Sequence, residues 1–464
     1  MVDSHTSDSK SDHLAQIQHW NVSQWLQHLE AIHPSEIDMG LARVQAVAER
    51  LGCIKPAARV ILVGGTNGKG TTSALLASLL QAHNLNVGVY NSPHIHLYNE
   101  RVSVNAQHIS DDDLCQSFCA VEKARGSDSL TYFEFGTLAA LWHFQQLSDA
   151  DKLDAVVLEI GLGGRLDAVN IVDADLSIVT SIGLDHQVWL GDTLEDIAYE
   201  KCSIARAHKP LICGQLNPPA SAYETAKTLK GEWQVAGDDF GIINDEDGPI
   251  AFSRDERSEY RLPLGDCHIP LPNVATALHA LTVMDLRLSD EILLTRIASL
   301  RVRGRMQRFQ NTHGPQQLIL DVAHNPQAAE YLASKLPKIH TLILAMLSDK
   351  DVAGVLRALP QCERLMVCGL AGPRGLNTES LALRCQQALS DVNGTVKKYN
   401  ELLQCKTVSD ALALLSEECL SEESLKEKCN DMSSPKIHLV AGSFYTVEAA
   451  LNWLQCQEDT WNSI

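Results

Sequence analysis

Residues 59–72, RVILVGGTNGKGTT, join a β-branched run to a glycine-rich loop that carries a single lysine, Lys69. An apolar-periodic helix is predicted directly after it, from Ser73 to Ala82. This order places backbone N–H groups and a helix N-terminus around an anion, with a lysine that reaches the outer phosphates. The stretch therefore predicts a nucleoside triphosphate site built from a strand, a loop and a helix.

The loop differs from the usual phosphate-binding loop at two positions. Val63 stands where a leading glycine is usual, and Gly70 takes the place of the Ser or Thr after the lysine. Thr71 or Thr72 would then supply any hydroxyl near a metal ion. An ordinary Gly/Asn turn is the simpler alternative, but the strand, loop, lysine, hydroxyls and helix follow in the order that a nucleotide site requires.

Composition restricts the class of protein. A chain of 464 residues is too long for one core and fits two domains. A hydrophobic content of 45% with only 5% aromatic residues is typical of an aliphatic-rich α/β protein. The net charge of −20 argues against a general nucleic-acid surface and against attachment to anionic lipid.

Cysteine usage and the N-terminus indicate the compartment. The 13 cysteines are scattered without a Cys-x-x-Cys pair, which favours reduced thiols over a disulfide framework or a zinc site. No apolar run approaches membrane-spanning length. Residues 1–17 begin with a polar stretch that lacks the apolar region of a signal peptide, and we expect a disordered tail there. The sequence thus predicts a cytoplasmic protein that binds neither nucleic acid nor membrane.

Short aliphatic runs alternate with helical patterns along almost the whole chain. This alternation predicts an α/β fold of doubly wound parallel sheets with crossover helices. The stretch Gly231–Pro272 is rich in Asp, Gly and Pro and is expected to be a hairpin insertion. The expected strands are Val60–Val63, Val87–Tyr90, Ala155–Glu159, Leu176–Thr180, Leu211–Cys213, Leu318–Asp321, Thr341–Ala345, Arg364–Cys368 and Ile437–Ala441. The helices expected among them include Phe135–Gln146, Leu194–Ala205, Val274–Leu286 and Ser289–Leu300.

Polar segments follow the predicted strands, where ligands bind in parallel α/β sheets. The domain boundary is placed after Leu300, which gives a nucleotide-binding domain at 18–300 and a smaller Rossmann-like domain at 301–464. Because such segments recur in both halves, the sequence predicts two half-sites that face each other across a cleft between the domains. The segments begin at Gly65, Asn91, Glu159, Gly183, Asp321, Ser348 and Gly442.

Glu159 closes an apolar strand, where a carboxylate can hold a magnesium ion or its water. Magnesium keeps several waters and needs few protein ligands, so Glu159 with Ser92 and His186 would suffice beside the phosphates. Glu159 could instead cap the following glycine turn. His186 on its own could be an ordinary loop histidine.

Several basic residues point to the same chemistry. Lys201 falls on the apolar stripe of its helix, where a lysine needs a partner or a modification unless its amine snorkels to the helix edge. Four arginines lie within residues 301–308. They could bind phosphate bidentately, or they could simply form a basic linker.

Asp321 and His324 could hold the ribose, the acceptor or the incoming nucleophile.

With these residues collected, the chain resembles the folylpolyglutamate synthase family of Mur-type ATP-dependent amide ligases, from Trp25 to Phe444. The resemblance implies a Mur ligase central-type ATPase domain at 18–300 and a ligase domain at 301–464. Its marks are GTNGKGT at 65–71, SPH at 92–94, TYFE at 131–134, EIGLGGRLDAVN at 159–170, LDH at 184–186, EK at 200–201, DVAHNP at 321–326 and MLSDKD at 346–351.

The resemblance implies roles for individual residues. Lys201 matches a carbamylated lysine, a modification that would turn its cation into an anion near metal. The catalytic set it implies is Lys69, Lys201, His186 and His324. The ATP contacts it implies are Thr66, Asn67, Gly68, Lys69, Gly70, Thr71, Thr72, Asn273, Arg305 and Asp321. Two Mg²⁺ ions are expected, with Ser92, Glu159 and His186 around the metal. Thr131, Phe133 and Asp167 match a pterin pocket, and His324 and Ser443 match positions linked to glutamate.

The implied reaction joins L-glutamate to dihydropteroate and to reduced folates through an acyl phosphate, with ATP as co-substrate and the protein a monomer. Val169, Asn91 and Gln187 replace residues more usual in the family, and none of these changes removes a charged group. One alternative is an enzyme that uses dihydropteroate alone as the acceptor. The other is a Mur-type ligase that acts on another carboxylate.

Other classes fit less well. A kinase or GTPase would not need a second Rossmann-like sheet with DVAHNP, and a non-catalytic switch would not need an inward lysine and an acceptor pocket. A peptidoglycan Mur ligase would carry a sugar-nucleotide domain before the loop, where only residues 1–58 precede the strand.

Overall fold

The computed structural model describes residues 17–33, 38–254, 259–265, 267–312, 314–336, 338–390, 399–426, 436–457 and 460–464. The chain divides into two compact units, Met1–Leu300 and Arg301–Ile464. Each unit contains a largely parallel sheet with helices, so the predicted α/β class with two sheet domains is confirmed. The tail predicted for residues 1–17 lies outside the described residues except for Ile17, which is fully buried.

The first unit holds two sheets. Its strands are β1 (Arg59–Gly64), β2 (Val87–Tyr90), β3 (Val102–Val104), β4 (Gln107–His108), β5 (Ala155–Glu159), β6 (Leu176–Val179), β7 (Pro210–Cys213), β8 (Glu232–Val235), β9 (Phe240–Asp245), β10 (Gly248–Arg254) and β11 (Glu259–Pro263). Its helices are α1 (Val22–Ala31), α2 (Ala42–Leu51), α3 (Lys69–Ala82), α4 (Asp111–Arg125), α5 (Tyr132–Asp149), α6 (Gln187–Leu190), α7 (Leu194–Cys202), α8 (Ala220–Thr228), α9 (Leu271–Val283) and α10 (Asp290–Ser299).

Strand β1 lies in the middle of the main sheet, whose described strands run in the order β4-β3-β2-β5-β1-β6-β7-β8. It pairs in parallel with both β5 and β6. Val60 and Leu62 face one hydrophobic core, whereas Ile61 and Val63 face the other. A strand buried on both faces needs apolar residues at every position, which explains the unbroken β-branched and leucine run.

The predicted hairpin insertion needs one correction. Its first residues, Glu232–Val235, form β8 and extend the main sheet, because they pair in parallel with β7. The remainder forms a separate antiparallel sheet in the order β11-β10-β9. This small sheet packs on α9 through Phe240, whose ring stacks on His279 with centroids 4.4 Å apart.

The second unit contains one sheet in the order β16-β15-β14-β17-β13-β12-β18. Strands β12 and β18 are antiparallel additions at one edge, and they were not predicted. Its strands are β12 (Gln307–Asn311), β13 (Gln316–Leu320), β14 (Ile339–Leu344), β15 (Cys362–Cys368), β16 (Glu401–Cys405), β17 (Lys436–Ala441) and β18 (Trp461–Ser463). Its helices are α11 (Pro326–Lys335), α12 (Val352–Ala358), α13 (Thr378–Ser390), α14 (Val408–Lys426) and α15 (Phe444–Gln455).

The parallel strands bring the polar segments of each unit to one sheet edge. In the first unit the glycine loop, Asn91, Glu159 and Ser181 all come at the carboxyl ends of neighbouring strands. In the second unit Asp321 follows β13 and Gly442 follows β17, its parallel neighbour. No helix in the described part of the chain has the length and apolar character of a membrane-crossing segment.

Replacing His279 with leucine is expected to lower the free energy of unfolding by about 2 kcal/mol, because the buried Ser253 and the half-buried Gln234 each lose one hydrogen bond. His279 bonds Ser253 Oγ through Nδ1 at 2.9 Å and Gln234 Oε1 through Nε2 at 2.8 Å. Urea unfolding measures the change. His108→Leu, at an exposed position of β4, serves as the control, and equal stability of the two variants would contradict the expectation.

Candidate active site

Two glycines give the loop after β1 its shape. Gly65 has a φ of +137°, and a Cβ there would lie 2.0 Å from Thr180 Oγ1. Gly68 has a φ of +87°, and a Cβ there would lie 2.6 Å from Asn273 Oδ1. Both positions therefore combine left-handed backbone with close neighbours, so no other residue fits. Helix α3 begins directly afterwards, at Lys69, which leaves its first amides available to an anion.

The segment after β6 holds this loop in place. Thr180 Oγ1 donates to Asn67 O at 2.6 Å, and Ser181 Oγ accepts from Asn67 N at 2.9 Å. Thr66 Oγ1 accepts from Gly183 N at 3.0 Å. Thr180 and Ser181 were not among the predicted site residues, although they follow a strand beside β1. Their position at the strand end was the signal that could have identified them.

Lys69 lies back over the loop that it ends. Its Nζ donates to Gly65 O at 2.9 Å and to Thr66 O at 3.3 Å. Burial lowers the pKa of Lys201 and raises that of Asp167, and the ammonium charge of Lys69 adds a smaller lowering effect at both groups. A single lysine thus connects the loop with the other predicted groups of this unit.

The hydroxyls after the lysine are buried. Thr71 is 6% exposed, and the buried Thr72 Oγ1 has no hydrogen-bond partner in the described part of the chain. The start of α3 lies next to a carboxylate, because a Cβ at position 70 would make an ordinary contact of 3.7 Å with Glu159 Oε2.

Glu159 is the carboxylate of the predicted metal site. It lies opposite Val63 in the β1–β5 register, is 5% exposed, and accepts from Ser92 N at 3.3 Å through Oε2. The structure thus brings Glu159, Ser92 and Gly70 together. Around it, the described residues contain no cluster of three or more His, Cys, Asp or Glu side chains suited to a metal ion. One buried carboxylate beside a phosphate loop fits magnesium, which takes most ligands from phosphate and water.

His186 is held by its own neighbour. It has a left-handed φ of +52°, its amide donates to Asp185 Oδ1 at 2.9 Å, and its Nε2 lies 4.0 Å from the same oxygen. A role as metal ligand stays a prediction.

Lys201 is buried in the body of the unit. It is 4% exposed, so its amine does not snorkel to the helix edge. Burial, assisted by the charge of Lys69, lowers its pKa to about 7, against the opposite effect of Asp185. Gly164 allows the close approach, because a Cβ there would lie 3.1 Å from Lys201 Cα. A buried amine whose pKa lies near 7 is partly unprotonated at physiological pH, and the unprotonated form is a nucleophile.

The predicted pterin residues lie around the GLGG segment. The ring of Phe133 lies directly over Gly161, where a Cβ would come within 2.5 Å of it. Asp167 accepts from Leu162 N at 2.8 Å and from Val169 N at 2.9 Å. Burial raises the pKa of Asp167 to about 6. Thr131 caps α5, since its Oγ1 accepts from Glu134 N at 3.2 Å.

The second unit places its predicted residues around the start of α15. Asp321 accepts from Met306 N and Ala323 N, both at 2.9 Å, and burial raises its pKa. Arg305 lies over the ring of Phe444, with 5.5 Å to the centroid. His324 lies 6.4 Å from the same ring. Phe444 was not predicted as a site residue, although it directly follows Ser443.

His324 and Ser443 have defined hydrogen bonds. His324 Nδ1 lies 2.9 Å from Val322 O, and because a carbonyl only accepts, Nδ1 carries a proton. Ser443 Oγ accepts from Thr446 N at 3.0 Å and so caps α15. The serine therefore has a structural role as well as its predicted one.

A phosphate loop, a buried carboxylate and a buried amine on one sheet edge can bind a nucleotide and its metal. The family profile "Mur ligase, glutamate ligase domain" matches residues 304–425 of the second unit. The fold and the site thus define a nucleotide-dependent ligase of the Mur type.

Relatives that match most of the chain identify its family. The chain is 45% identical over 367 residues to the "Dihydrofolate synthase/folylpolyglutamate synthase" of Escherichia coli K12, which covers 78% of this chain and 84% of the relative. It therefore belongs to the dihydrofolate synthase/folylpolyglutamate synthase family, and the predicted resemblance is confirmed.

Two solved structures are similar to this chain in both sequence and fold. "E. coli FolC in complex with DHPP and ADP" is 38% identical, has a TM-score of 0.81, and covers 95% of this chain and 99% of that one. The Yersinia pestis bifunctional folylpolyglutamate synthase/dihydrofolate synthase "complexed with AMPPNP and Mn ion" is 37% identical with a TM-score of 0.78, covering 94% and 99%.

Gly68→Ala is expected to weaken binding of a non-hydrolysable ATP analogue about 100-fold, because the left-handed backbone is strained and Asn273 must move. Gly70→Ala is the matched control, since its Cβ has 3.7 Å to the nearest atom, an ordinary contact. We expect Gly70→Ala to bind within about 3-fold of the parent. Titration calorimetry measures both, and similar affinities for the two variants would contradict the assigned loop geometry.

Proposed function

We propose that the chain joins L-glutamate to dihydropteroate and to reduced folates in an ATP-dependent reaction that passes through an acyl phosphate. The observation that supports this most is the glycine loop of Gly65 and Gly68 beside buried Glu159, in a chain of a family named for both activities. The pocket around Phe133 and Asp167 supplies a separate acceptor site. We further propose that the protein works as a monomer in the cytoplasm.

Phosphoryl transfer requires positioning and neutralisation of charge. In the proposal, the amides of residues 66–72 and the ammonium of Lys69 bind the ATP phosphates. Glu159, Ser92 and His186 would hold Mg²⁺, and a second ion is proposed as well. Bound magnesium supplies charge neutralisation at the phosphate oxygens. Asn273, Arg305 and Asp321 are the further proposed ATP contacts.

The bonds change in two steps. A carboxylate oxygen of the acceptor attacks the γ-phosphorus, the bond to the β-phosphate oxygen breaks, and ADP leaves. The α-amine of L-glutamate then attacks the acyl carbon, and inorganic phosphate leaves with the former carboxylate oxygen. We propose that His324 takes the proton from the attacking amine and that Ser443 helps to bind glutamate.

The acceptor would bind on the aromatic side of the first unit. Phe133 offers a ring for stacking, and the carboxylate of Asp167 would meet the amino-pyrimidine edge of the pterin. With a pKa of about 6, Asp167 is mostly ionised above neutrality and then accepts two hydrogen bonds from such an edge. Thr131, at the start of α5, would lie at the rim of this pocket.

Lys201 is proposed to carry a carbamate. Only the unprotonated amine reacts with carbon dioxide, and the lowered pKa of about 7 leaves much of the amine unprotonated near neutrality. The nitrogen lone pair forms the new bond to carbon, and one proton is released to solvent. The product is an anion that replaces a costly buried cation.

The function is tested by ADP release from purified protein with MgATP, L-glutamate and either dihydropteroate or tetrahydrofolate, with products identified by mass. Turnover with both acceptors is expected. Turnover with dihydropteroate alone would restrict the assignment to one activity. Glutamate-dependent ADP release with neither would contradict the folate assignment and favour a Mur-type ligase for another carboxylate.

Lys201→Ala is expected to lower kcat about 100-fold or more, because the carbamate anion beside the metal is lost. Added acetate should restore part of the activity by occupying the vacated space. Exposed Lys227→Ala is the control. Full activity of Lys201→Ala would contradict the proposal, and so would intact-protein mass spectra in bicarbonate that show no added carbon dioxide on the parent.

The lowered pKa of Lys201 also predicts a pH dependence of stability. In buffer freed of carbon dioxide, where Lys201 stays a free amine, the folded state is deprotonated at Lys201 between about pH 7 and pH 10.5 while the unfolded state still binds the proton, so this group makes stability rise with pH. Below pH 7 both states are protonated and the full penalty of burial remains. Urea titrations of parent and Lys201→Met at several pH values should show a smaller difference in unfolding free energy at high pH.

A further inference from the structure

His94 and Arg101 form a pair that the nucleotide site leaves unused. They lie in the connection between β2 and β3, which returns on itself so that Asn91 N donates to Arg101 O at 2.9 Å. Glu100 fastens the middle of this connection, because its carboxylate accepts from Ile95 N at 2.8 Å and from Leu97 N at 3.1 Å. The connection is thus fixed by its own hydrogen bonds.

Arg101 is a buried cation without an acidic partner. It is 8% exposed, and no carboxylate in the described part of the chain forms an ion pair with it. Its guanidinium lies instead against the rings of Tyr98, at 5.1 Å, and Tyr132, at 5.7 Å. A buried arginine usually pairs with a carboxylate, so this one has another task.

The guanidinium of Arg101 hydrogen-bonds two side chains, those of Tyr90 and His94. Arg101 Nε donates to His94 Nδ1 at 2.8 Å. A guanidinium has donors only, so Nδ1 must be the acceptor, and the proton of the neutral imidazole is on Nε2. The ring also packs on Tyr98, with centroids 5.6 Å apart. No described residue bonds His94 Nε2, which is therefore an oriented donor without a protein acceptor.

The surroundings of His94 are those of the proposed acceptor. It comes two residues after Ser92, whose amide contacts Glu159. On the other side, Tyr98 contacts Tyr132 with centroids 5.8 Å apart, and Tyr132 precedes the pterin-stacking Phe133. His94 is thus joined along the chain to Ser92 and, through the ring of Tyr98, to the tyrosine that precedes Phe133.

We propose that His94 donates a hydrogen bond from Nε2 to a carboxylate or carbonyl oxygen of the acceptor substrate, and that Arg101 is the positioning residue that fixes this tautomer. The inference rests on the proposed function for the identity of the acceptor. An oxygen that only accepts is the matching partner for a nitrogen that only donates. Binding of ATP and of glutamate does not involve this contact.

Kinetics of four variants test the contact. His94→Leu should raise KM for dihydropteroate about 10-fold and leave KM for ATP within about 2-fold, as expected for one lost hydrogen bond. His94→Gln, whose amide nitrogen reaches the Nε2 position, should recover most of the loss. Arg101→Met should match His94→Leu, and the double variant should be no worse than either alone. Exposed His96→Leu, in the same connection, is the control.

A second measurement does not depend on turnover. Two-dimensional ¹H–¹⁵N spectra of histidine-labelled protein report which ring nitrogen of His94 carries the proton, and we expect Nε2–H in the parent and a mixture in Arg101→Met. A proton on Nδ1 in the parent would overturn the inference. So would equal losses in KM for all three substrates, which would show a folding defect. If the parent binds no folate while showing Nε2–H, the proposed function fails but the tautomer assignment stands.

Discussion

The absence of side chains at Gly65 and Gly68 is the constraint on which the first unit depends. Thr180 and Asn273 occupy the space that a Cβ would need, and they come from β6's end and from α9, far apart in sequence. The same contacts fix the loop carbonyls to which Lys69 donates, and they set where α3 begins. The close approaches of Thr180 to Gly65 and of Asn273 to Gly68 thus determine the position of the loop, the lysine and the helix N-terminus together.

Burial of charged groups shifts the pKa values of two further residues of the candidate site in this unit. Lys69 lowers the pKa of Lys201, and burial moves the pKa values of Lys201 and Asp167 toward neutrality from opposite sides. Groups poised in this way are typical of functional sites. The glycines of the GLGG segment permit it, because Gly161 and Gly164 bring Phe133 and α7 close to the same backbone.

The sequence predicted the strands that are buried on both faces, since an apolar run such as Val60–Val63 has few alternatives. It did not predict β12 or β18, whose polar residues, such as Gln307 and Asn462, carry no strand pattern and pair only because a sheet edge is present. The burial of Lys201 was readable from its helical stripe, and Thr180 could have been identified from its position at the end of a strand beside β1. The place of Phe444 beside Arg305 and His324 was not readable, because those contacts depend on tertiary packing. Roles for His186, His324 and Ser443 rested on motifs, and here Ser443 is also a helix cap.

The position of Phe133 over Gly161 has a further consequence for the range of possible ligands. One face of the Phe133 ring lies against the main chain at Gly161. Any substitution that adds a side chain at position 161 would displace the ring. A flat acceptor that stacks on Phe133, as proposed, would therefore use the face away from Gly161 and would not be sandwiched between the ring and the segment beneath it. Differences in acceptor preference would then arise from groups at the edge of the ligand rather than from those above and below it.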